Sequence, residues 1–408
     1  MTSIAIIGGG PAGFMAAISA AENAENKNIK IVIFEKNEPL KTILCTGNGR
    51  CNITNNIVNY RELASNYPRG EKFLYSVFSR FAVTETIEWF KNNGVRLYTQ
   101  DDNRMFPTTD KAETIRDMLL QKVKSMNIKV YSDENVINIE KVNDIFKITT
   151  DNSSYSFDKL IMSTGGSTKN NYAYNLAEKL GIKSTERKPS LVGLKIRENY
   201  LTKLSGVSVS SCIINLLFNN KKVSKVEGDF IITHKGISGP VIFKASAAAA
   251  FLNYNAQYPL ILEINFAPTY NYETLNEELL EKFDSQKNTS ISNLLKTYLP
   301  KSLAVELLNM DAIEPEKKSG DITKLERKAI LDFILNFKLT AIATFPEGEM
   351  VTAGGVDLKQ INSKTLAAKS DENIFFCGEI LDIDGYTGGF NLQQCWSTGY
   401  IAGLSAVI

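Results

Sequence analysis

Three glycines and one acid near the start of the chain are spaced to hold a dinucleotide. Gly8, Gly10 and Gly13 fill the three positions of a G-x-G-x-x-G turn within SIAIIGGGPAG, and Glu35 closes the next apolar run, IKIVIFEK. The first glycine permits a sharp turn, the second removes a side chain where a pyrophosphate approaches the backbone, and the third lets helix and strand pack closely. The helix that opens at Pro11 and Ala12 aims its free N–H groups and positive dipole end at the phosphates. Glu35, about 20 residues beyond the glycines, is placed to accept bonds from a ribose diol, with Lys36 beside it. A tight strand-to-helix turn without a ligand explains the glycines but leaves Glu35 without a role.

Further candidate contacts follow in sequence order. The loop CTGNGRCNITN (45–55) contributes Thr46, Gly47, Arg50, Cys51 and Asn52. Its glycines allow close backbone approach, Arg50 is a planar permanent cation, and Asn52 both donates and accepts. A structural loop with a surface arginine is the alternative. Val136 lies second in the run NVINIEKV, and Gly165 is the first of the two glycines that end the run KLIMSTGG. The C-terminal segment IFFCGEILDIDGYTGGFNLQQCWSTGYIAG supplies Gly378, Glu379 and Asp382 at a strand end, then Gly389, Phe390 and Asn391 at a helix start. A carboxylate there suits a ribityl chain, and the helix N-terminus suits the pyrimidine edge of a flavin. A plain NAD dehydrogenase has no need of a C-terminal strand and helix returning to its cofactor, so this second half-site points to FAD. A glycine-rich turn before a packing helix would also produce this pattern.

Residues for acid–base chemistry are few. His234 is the only histidine, and a single histidine is more commonly structural than catalytic. His234 and Tyr386 are the candidates, and neither is fixed by spacing. Five cysteines, Cys45, Cys51, Cys212, Cys377 and Cys395, contain no C-x-x-C. No metal site is expected, and reduced thiols are a better reading than a redox pair.

The 408 residues are 43% hydrophobic and 22% charged, with a formal net charge of +1. These values suit a globular protein and give no global field for nucleic acid or an acidic membrane. The chain opens on a core strand and has no apolar run long enough to span a bilayer. The expectation is a cytoplasmic protein with a small-molecule substrate, no nucleic acid and no membrane partner. Its oligomeric state is left open.

Alternating strand and helix patterns fill 1–187, with helices at 71–81, 84–94 and 110–126, the last capped by Asp110. Runs at 135–142, 145–150 and 155–166 suggest an antiparallel meander placed between parallel strands. The expected FAD-binding domain is discontinuous, 1–187 and 341–408, with LTAIATF, EMVTAGGV and NIFFCGE as returning strands. It is interrupted by a β-rich insert at 188–270 and a helical insert at 271–340.

These segments together resemble the bacterial NAD(P)/FAD-dependent oxidoreductases of the aminoacetone oxidase-like and BaiN-like (dehydro-bile-acid reductase-like) group. The resemblance rests on GGGPAG at 8–13, TGNGRCNITN at 46–55, FPTTDKA at 106–112, STGGST at 163–168, THKGISGP at 233–240, VTAGGVDL at 351–358 and CGEILDIDGYTGGFNLQ at 377–393. Where members commonly carry a third glycine in the 46–55 loop, this chain has Asn48. The resemblance implies an α/β fold: a Rossmann-like FAD-binding domain of the glutathione-reductase type, interrupted by β-barrel-like and helical inserts. It also implies tight non-covalent FAD.

The expected activity is hydride transfer at flavin N5 on a small organic substrate, by amine oxidation or by C=C or C=N reduction. NAD(P)H is a candidate transient donor. The lack of a second nucleotide motif leans toward oxidase or direct-transfer chemistry. A tRNA-modifying FAD protein and a redox or structural flavoprotein without turnover are the alternatives.

Overall fold

Four apolar side chains in a row, Ile4–Ile7, are buried in the opening strand Thr2–Ile7. Burial on both faces is the mark of a parallel sheet covered by helices. The computed structural model describes residues 2–24, 28–348 and 350–408. They form two compact units, Met1–Lys188 with Val351–Ile408, and Pro189–Met350.

In the first unit, a six-stranded sheet runs Ala367–Ala368, Asp371–Phe376, Lys159–Met162, Thr2–Ile7, Ile29–Phe34, Lys129–Tyr131. The pairings from Asp371–Phe376 onward are parallel. Ile7 stands opposite both Phe34 and Met162, and Met162 stands opposite Phe376. Four carboxyl ends therefore align, and the next residues, Gly8, Glu35, Ser163 and Cys377, share one edge of the sheet. The helix Pro11–Glu22 follows the first strand, and the helix Phe390–Val407 lies along it. A Cβ on Gly399 would stand 2.5 Å from Ala12 O, and one on Gly403 2.1 Å from Ala16 O. The expected meander is present as Val136–Val142, Ile145–Thr150 and Ser154–Phe157.

One expected cap is not made. The helix is Ala112–Ser125, its N-cap is Lys111, and no side chain caps it. Asp110 sits at φ +52, and its carboxylate instead accepts from Tyr98 OH at 2.6 Å.

The second unit is built on a closed six-stranded barrel, Leu194–Ile196, Gly236–Ser238, Lys221–Thr233, Ser208–Phe218, Leu260–Asn265 and Phe337–Thr344. The helices Tyr272–Ser285, Ile291–Leu295, Lys301–Met310 and Lys324–Asn336 share one apolar core with it. Thr323 and Glu326 form the capping box of the last helix. LTAIATF, expected among the strands returning to the nucleotide fold, lies in Phe337–Thr344 and is a barrel strand. Its burial alternates over Phe337–Ala341, which suits a barrel wall rather than a parallel sheet covered on both faces. Glu349, the first residue of the expected EMVTAGGV strand, lies outside the described residues; the strand is Val351–Ala353. Among the described residues no helix is long and apolar enough to cross a membrane.

Candidate functional site

The shared strand edge in the first unit presents what a dinucleotide needs. A Cβ on Gly13 would lie 2.1 Å from Gly8 O, so only glycine lets this helix start so close to the strand. A Cβ on Gly10 would meet nothing within 4 Å, which leaves open space where a phosphate would approach. Gly10 is the N-cap, Pro11 occupies the first turn, and no side chain caps the helix. The first-turn N–H groups are thus left for a ligand or solvent. Ala12 is buried and would meet a Cβ on Gly378 at 2.7 Å.

The Glu35 carboxylate is already oriented. Oε2 accepts from Gly9 N at 2.7 Å and Oε1 from Asn37 N at 2.9 Å. Lone pairs remain on both oxygens for a diol, while Lys36 is exposed beside it. Glu35→Ala is expected to weaken FAD by about one to two decades, because charge-assisted bonds of roughly 1.5–3 kcal/mol are lost. Titration of the stripped protein with FAD measures this, and an unchanged dissociation constant would reduce Glu35 to a strand-end acid.

The 46–55 loop is held by its own side chains. Gly47 and Asn48 both sit at φ +57; asparagine is among the residues that tolerate this region, so Asn48 keeps the turn that a glycine would make. Thr46 Oγ1 donates to Ile43 O at 2.7 Å. The Arg50 guanidinium lies 4.1 Å from the centre of the Phe106 ring and 3.9 Å from Asp110. Cys51 is fully buried; burial pushes its thiol up to about 12, against a smaller lowering by Thr46. With its amide oriented to satisfy both ends, Asn52 accepts from Gly389 N at 2.9 Å and donates to Thr54 O at 3.0 Å and Met105 O at 3.2 Å. Asn52 therefore ties the loop to the C-terminal helix.

That helix begins at Phe390 with Gly389 as N-cap, at φ +95, and no side chain of Gly389 can cap it. Asn55 Nδ2 donates to Gly388 O at 3.1 Å, and Tyr67 OH donates to Phe390 O at 2.7 Å. Asn391 spends its amide on Gly385, accepting from its N and donating to its O, both at 2.8 Å. Its side chain shapes the loop, and the next backbone N–H groups of the first turn have no intrahelical acceptor. Gly389→Ala is expected to be far from neutral. Left-handed backbone costs a non-glycine residue about 1–2 kcal/mol, and the new Cβ would stand 2.5 Å from Thr54 O. Thr54 is held by Gln393 at 2.5 Å and has little room to retreat. A lowered denaturation midpoint with reduced FAD content is the expected result; wild-type values for both would show that the helix start tolerates a side chain.

A group of buried polar atoms lacks partners. Thr164 Oγ1, Tyr174 Oη and Asp382 Oδ1 are buried without a hydrogen bond. Asp382 Oδ2 accepts from Thr185 Oγ1 at 3.0 Å. Burial raises the Asp382 carboxyl above the usual range, more than Thr185 and Arg69 lower it. Tyr174 is raised by burial and senses Glu379 and Asp382, and the Arg187 guanidinium lies 3.9 Å over its ring. Native proteins leave few such atoms unsatisfied, so each of these is open to a bond from a ligand or solvent. Glu379 lies in the short turn Gly378–Ile380, where Gly378 N donates to Thr398 Oγ1 at 2.9 Å. Gly165, at φ +75, would meet nothing with a Cβ. Val136 is buried at the start of its strand.

Sequence reasoning passed over Thr164 and Tyr174. STGGST was a visible signal for the first; nothing local marked the second. It gave no role to Asp384, which is fully buried and bound by Arg69 through two guanidinium nitrogens. Tyr386 follows two residues later, half-buried, its phenol raised by burial. His234 is exposed in the second unit, on the turn between Lys221–Thr233 and Gly236–Ser238. Among the described residues no group of three or more His, Cys, Asp or Glu side chains is placed to hold a metal.

The family model described as HI0933-like protein Rossmann domain matches residues 2–405. The chain belongs to this family of Rossmann-type FAD-binding proteins. It is 29% identical over 416 residues to the 3-dehydro-bile acid delta(4,6)-reductase of Clostridium scindens, covering 100% of this chain and 99% of that one. It is 30% identical over 415 residues to the ribosomal RNA dihydrouridine synthase of Haemophilus influenzae, covering 98% and 97%. The solved 3-ketosteroid delta1-dehydrogenase from Sterolibacterium denitrificans matches with a TM-score of 0.53 at 10% identity over 100% of both chains. The 3-ketosteroid-delta4-(5alpha)-dehydrogenase from Rhodococcus jostii RHA1 matches at 0.51 and 13% identity, over 100% of this chain and 97% of that one. These two likenesses establish the fold.

Proposed function

We propose that this HI0933-like protein is an FAD-dependent reductase of a carbon–carbon double bond conjugated to a carbonyl group. The observation that carries the FAD half of this reading is the pair of helix N-termini without capping side chains, at Gly10 and Gly389. One suits a pyrophosphate and the other the electron-rich edge of a flavin. The orphaned Thr164, Tyr174 and Asp382 atoms fit the same cofactor, whose ribityl and phosphate groups offer many bonding partners.

The reductase half is supported by the names of the two full-length relatives. A 3-dehydro-bile acid delta(4,6)-reductase and a dihydrouridine synthase share one chemistry. In each, two hydrogens add across a C=C bond whose electrons are drawn toward a C=O. This favours reduction over the oxidase chemistry toward which the missing second nucleotide motif leans.

Bound FAD supplies the hydride, drawn from NAD(P)H. The chain's own residues do the rest. Glu35 and the first glycine turn anchor the nucleotide end. The Asn52–Gly389 bond holds the 46–55 loop against the C-terminal helix. Tyr386, kept protonated by burial, is the candidate donor of the proton that completes the addition. Arg50 offers a positive charge for a carbonyl oxygen that gains electrons.

The substrate has two sources, a free small molecule or a pyrimidine base within RNA, and one experiment separates them. The FAD-loaded enzyme with NAD(P)H is given a 3-oxo-4-ene steroid in one arm and a uridine-containing RNA in the other. A product heavier by two hydrogens in either arm supports the reading and names the source. NAD(P)H consumption with hydrogen peroxide as the sole product in both arms would contradict it.

A further inference from the structure

The net charge of +1 conceals a local excess. Residues 189–260 carry eight lysines and arginines against three acids. Three of these cations, Lys221, Lys222 and Lys225, are exposed on one hairpin formed by Ser208–Phe218 and Lys221–Thr233. Among the described residues none of the three has an ion-pair partner, whereas Lys203, Lys282, Lys287, Lys317 and Lys338 of the same unit pair with acids.

The hairpin's geometry gathers these charges. Leu217 stands opposite Lys222 and Asn215 opposite Lys225, with a register shift between Leu216 and Leu217. Residues two apart on a strand share a face, so the bulge places Lys222 on the face of Lys225. The two cross-strand positions are about 7 Å apart. Lys221, opposite Phe218, flanks the turn Asn219–Asn220, both at positive φ. The strand Gly236–Ser238 covers the second edge of Lys221–Thr233 only from Ile231 to Thr233. Among the described residues no strand pairs with the remainder of that edge, and Lys244 Nζ donates to Glu227 O there at 3.1 Å.

We propose that this hairpin is an RNA-binding finger that grips the phosphate backbone through Lys221, Lys222 and Lys225. The proposal rests on the reading above in its RNA form. Unpaired, exposed lysines on a long hairpin with one largely open edge answer a polyanion, and RNA is the polyanion on which a base-reducing enzyme would act. The exposed Asn219 and Asn220 amides at the tip add donors and acceptors for base edges or 2′-hydroxyls. Lysines on an open edge also discourage edge-to-edge pairing of strands; that role alone would leave RNA affinity untouched.

The test uses the full-length, FAD-loaded protein and a fluorescently labelled RNA stem–loop with a uridine-rich loop, titrated by anisotropy at several salt concentrations. Each phosphate contact to single-stranded RNA contributes about 0.7 to the slope of log affinity against log salt. The triple variant Lys221→Ala, Lys222→Ala, Lys225→Ala is expected to flatten that slope by about 2. The triple arginine variant should keep it. Should the alanine variant aggregate through its open edge, the single variants Lys222→Gln and Lys225→Gln each carry an expected change of about 0.7. FAD content and steroid-enone reduction are measured in parallel and should stay at wild-type levels. An unchanged slope in the lysine variants, or no RNA binding by the wild type, overturns the finger. RNA binding through the lysines with no reduction of enone or uridine would leave the finger standing and overturn the reductase reading.

Discussion

Tyr386→Phe is expected to slow reduction of the conjugated substrate by about two to four decades, the usual worth of a positioned general acid. Hydride addition to the far carbon of a conjugated C=C leaves electrons on the carbonyl side, and the adjacent carbon must then gain a proton. Among the two candidate residues, His234 is exposed in the second unit and Tyr386 lies on the loop leading into the C-terminal helix. Its backbone N donates to Asn66 O at 3.0 Å, and Asn391 Nδ2 donates to its O at 3.4 Å. Burial raises the phenol above its ordinary value, with opposing effects from Arg69 and Asp384. The proton therefore stays on Tyr386 throughout the neutral range, and this group adds no limb to a pH profile there. Turnover, FAD content and the pH profile of wild type and variant are compared. Wild-type turnover in Tyr386→Phe would assign the proton to another source.

Arg69→Leu is expected to destabilise the first unit by about 3–5 kcal/mol, because it strands a buried carboxylate. Asp384 has no exposed surface, and Arg69 meets it through two guanidinium nitrogens. The pair joins the segment around Arg69 to the loop that carries Asp382 and Tyr386, and the two residues also form an isolated backbone bridge. The double variant Arg69→Leu, Asp384→Leu should recover much of the loss, since removing both charges removes the desolvation penalty. Chemical denaturation of the two variants measures this. A single variant as stable as wild type would mean that Asp384 finds water or another partner when Arg69 is gone.

Much of the candidate nucleotide site was legible because its residues are local. Gly8, Gly10, Gly13 and Glu35 belong to one strand–turn–helix–strand run, and their spacing alone carries the chemistry. The helix start proposed for the C-terminal half was legible for the same reason, since Gly389, Phe390 and Asn391 open a helix directly. What the residues do there was less legible. Asn52 and Asn391 have the right donors for a flavin, yet their side chains serve Gly389 and Gly385 across the fold. The Asn52 bond joins residues hundreds of positions apart, and neither bond leaves a periodic trace in the sequence. Arg69 and Asp384 are a stronger case, separated by 315 positions: Asp384 stands in the C-terminal glycine motif, but nothing in the sequence marks Arg69 as its partner. Asp110 shows the converse: a good capping residue in sequence, it is drawn away by the nearby Tyr98 hydroxyl. Phe337–Thr344 was ambiguous because a short apolar run fits a parallel sheet or a barrel until its partners are known. A whole-chain net charge likewise averages away three lysines on one hairpin.

The most direct test is an anaerobic single turnover. The FAD-loaded protein is reduced with NAD(P)H, freed of excess nucleotide, and mixed with one candidate acceptor at a time while the flavin absorbance is followed. Rapid return of the oxidised flavin bands with a steroid enone or a uridine-containing RNA, and no return with an isolated alkene, is the predicted result. The saturated product should form in equal amount. A flavin that NAD(P)H does not reduce, that an amine reduces instead, and that only oxygen reoxidises would contradict the account.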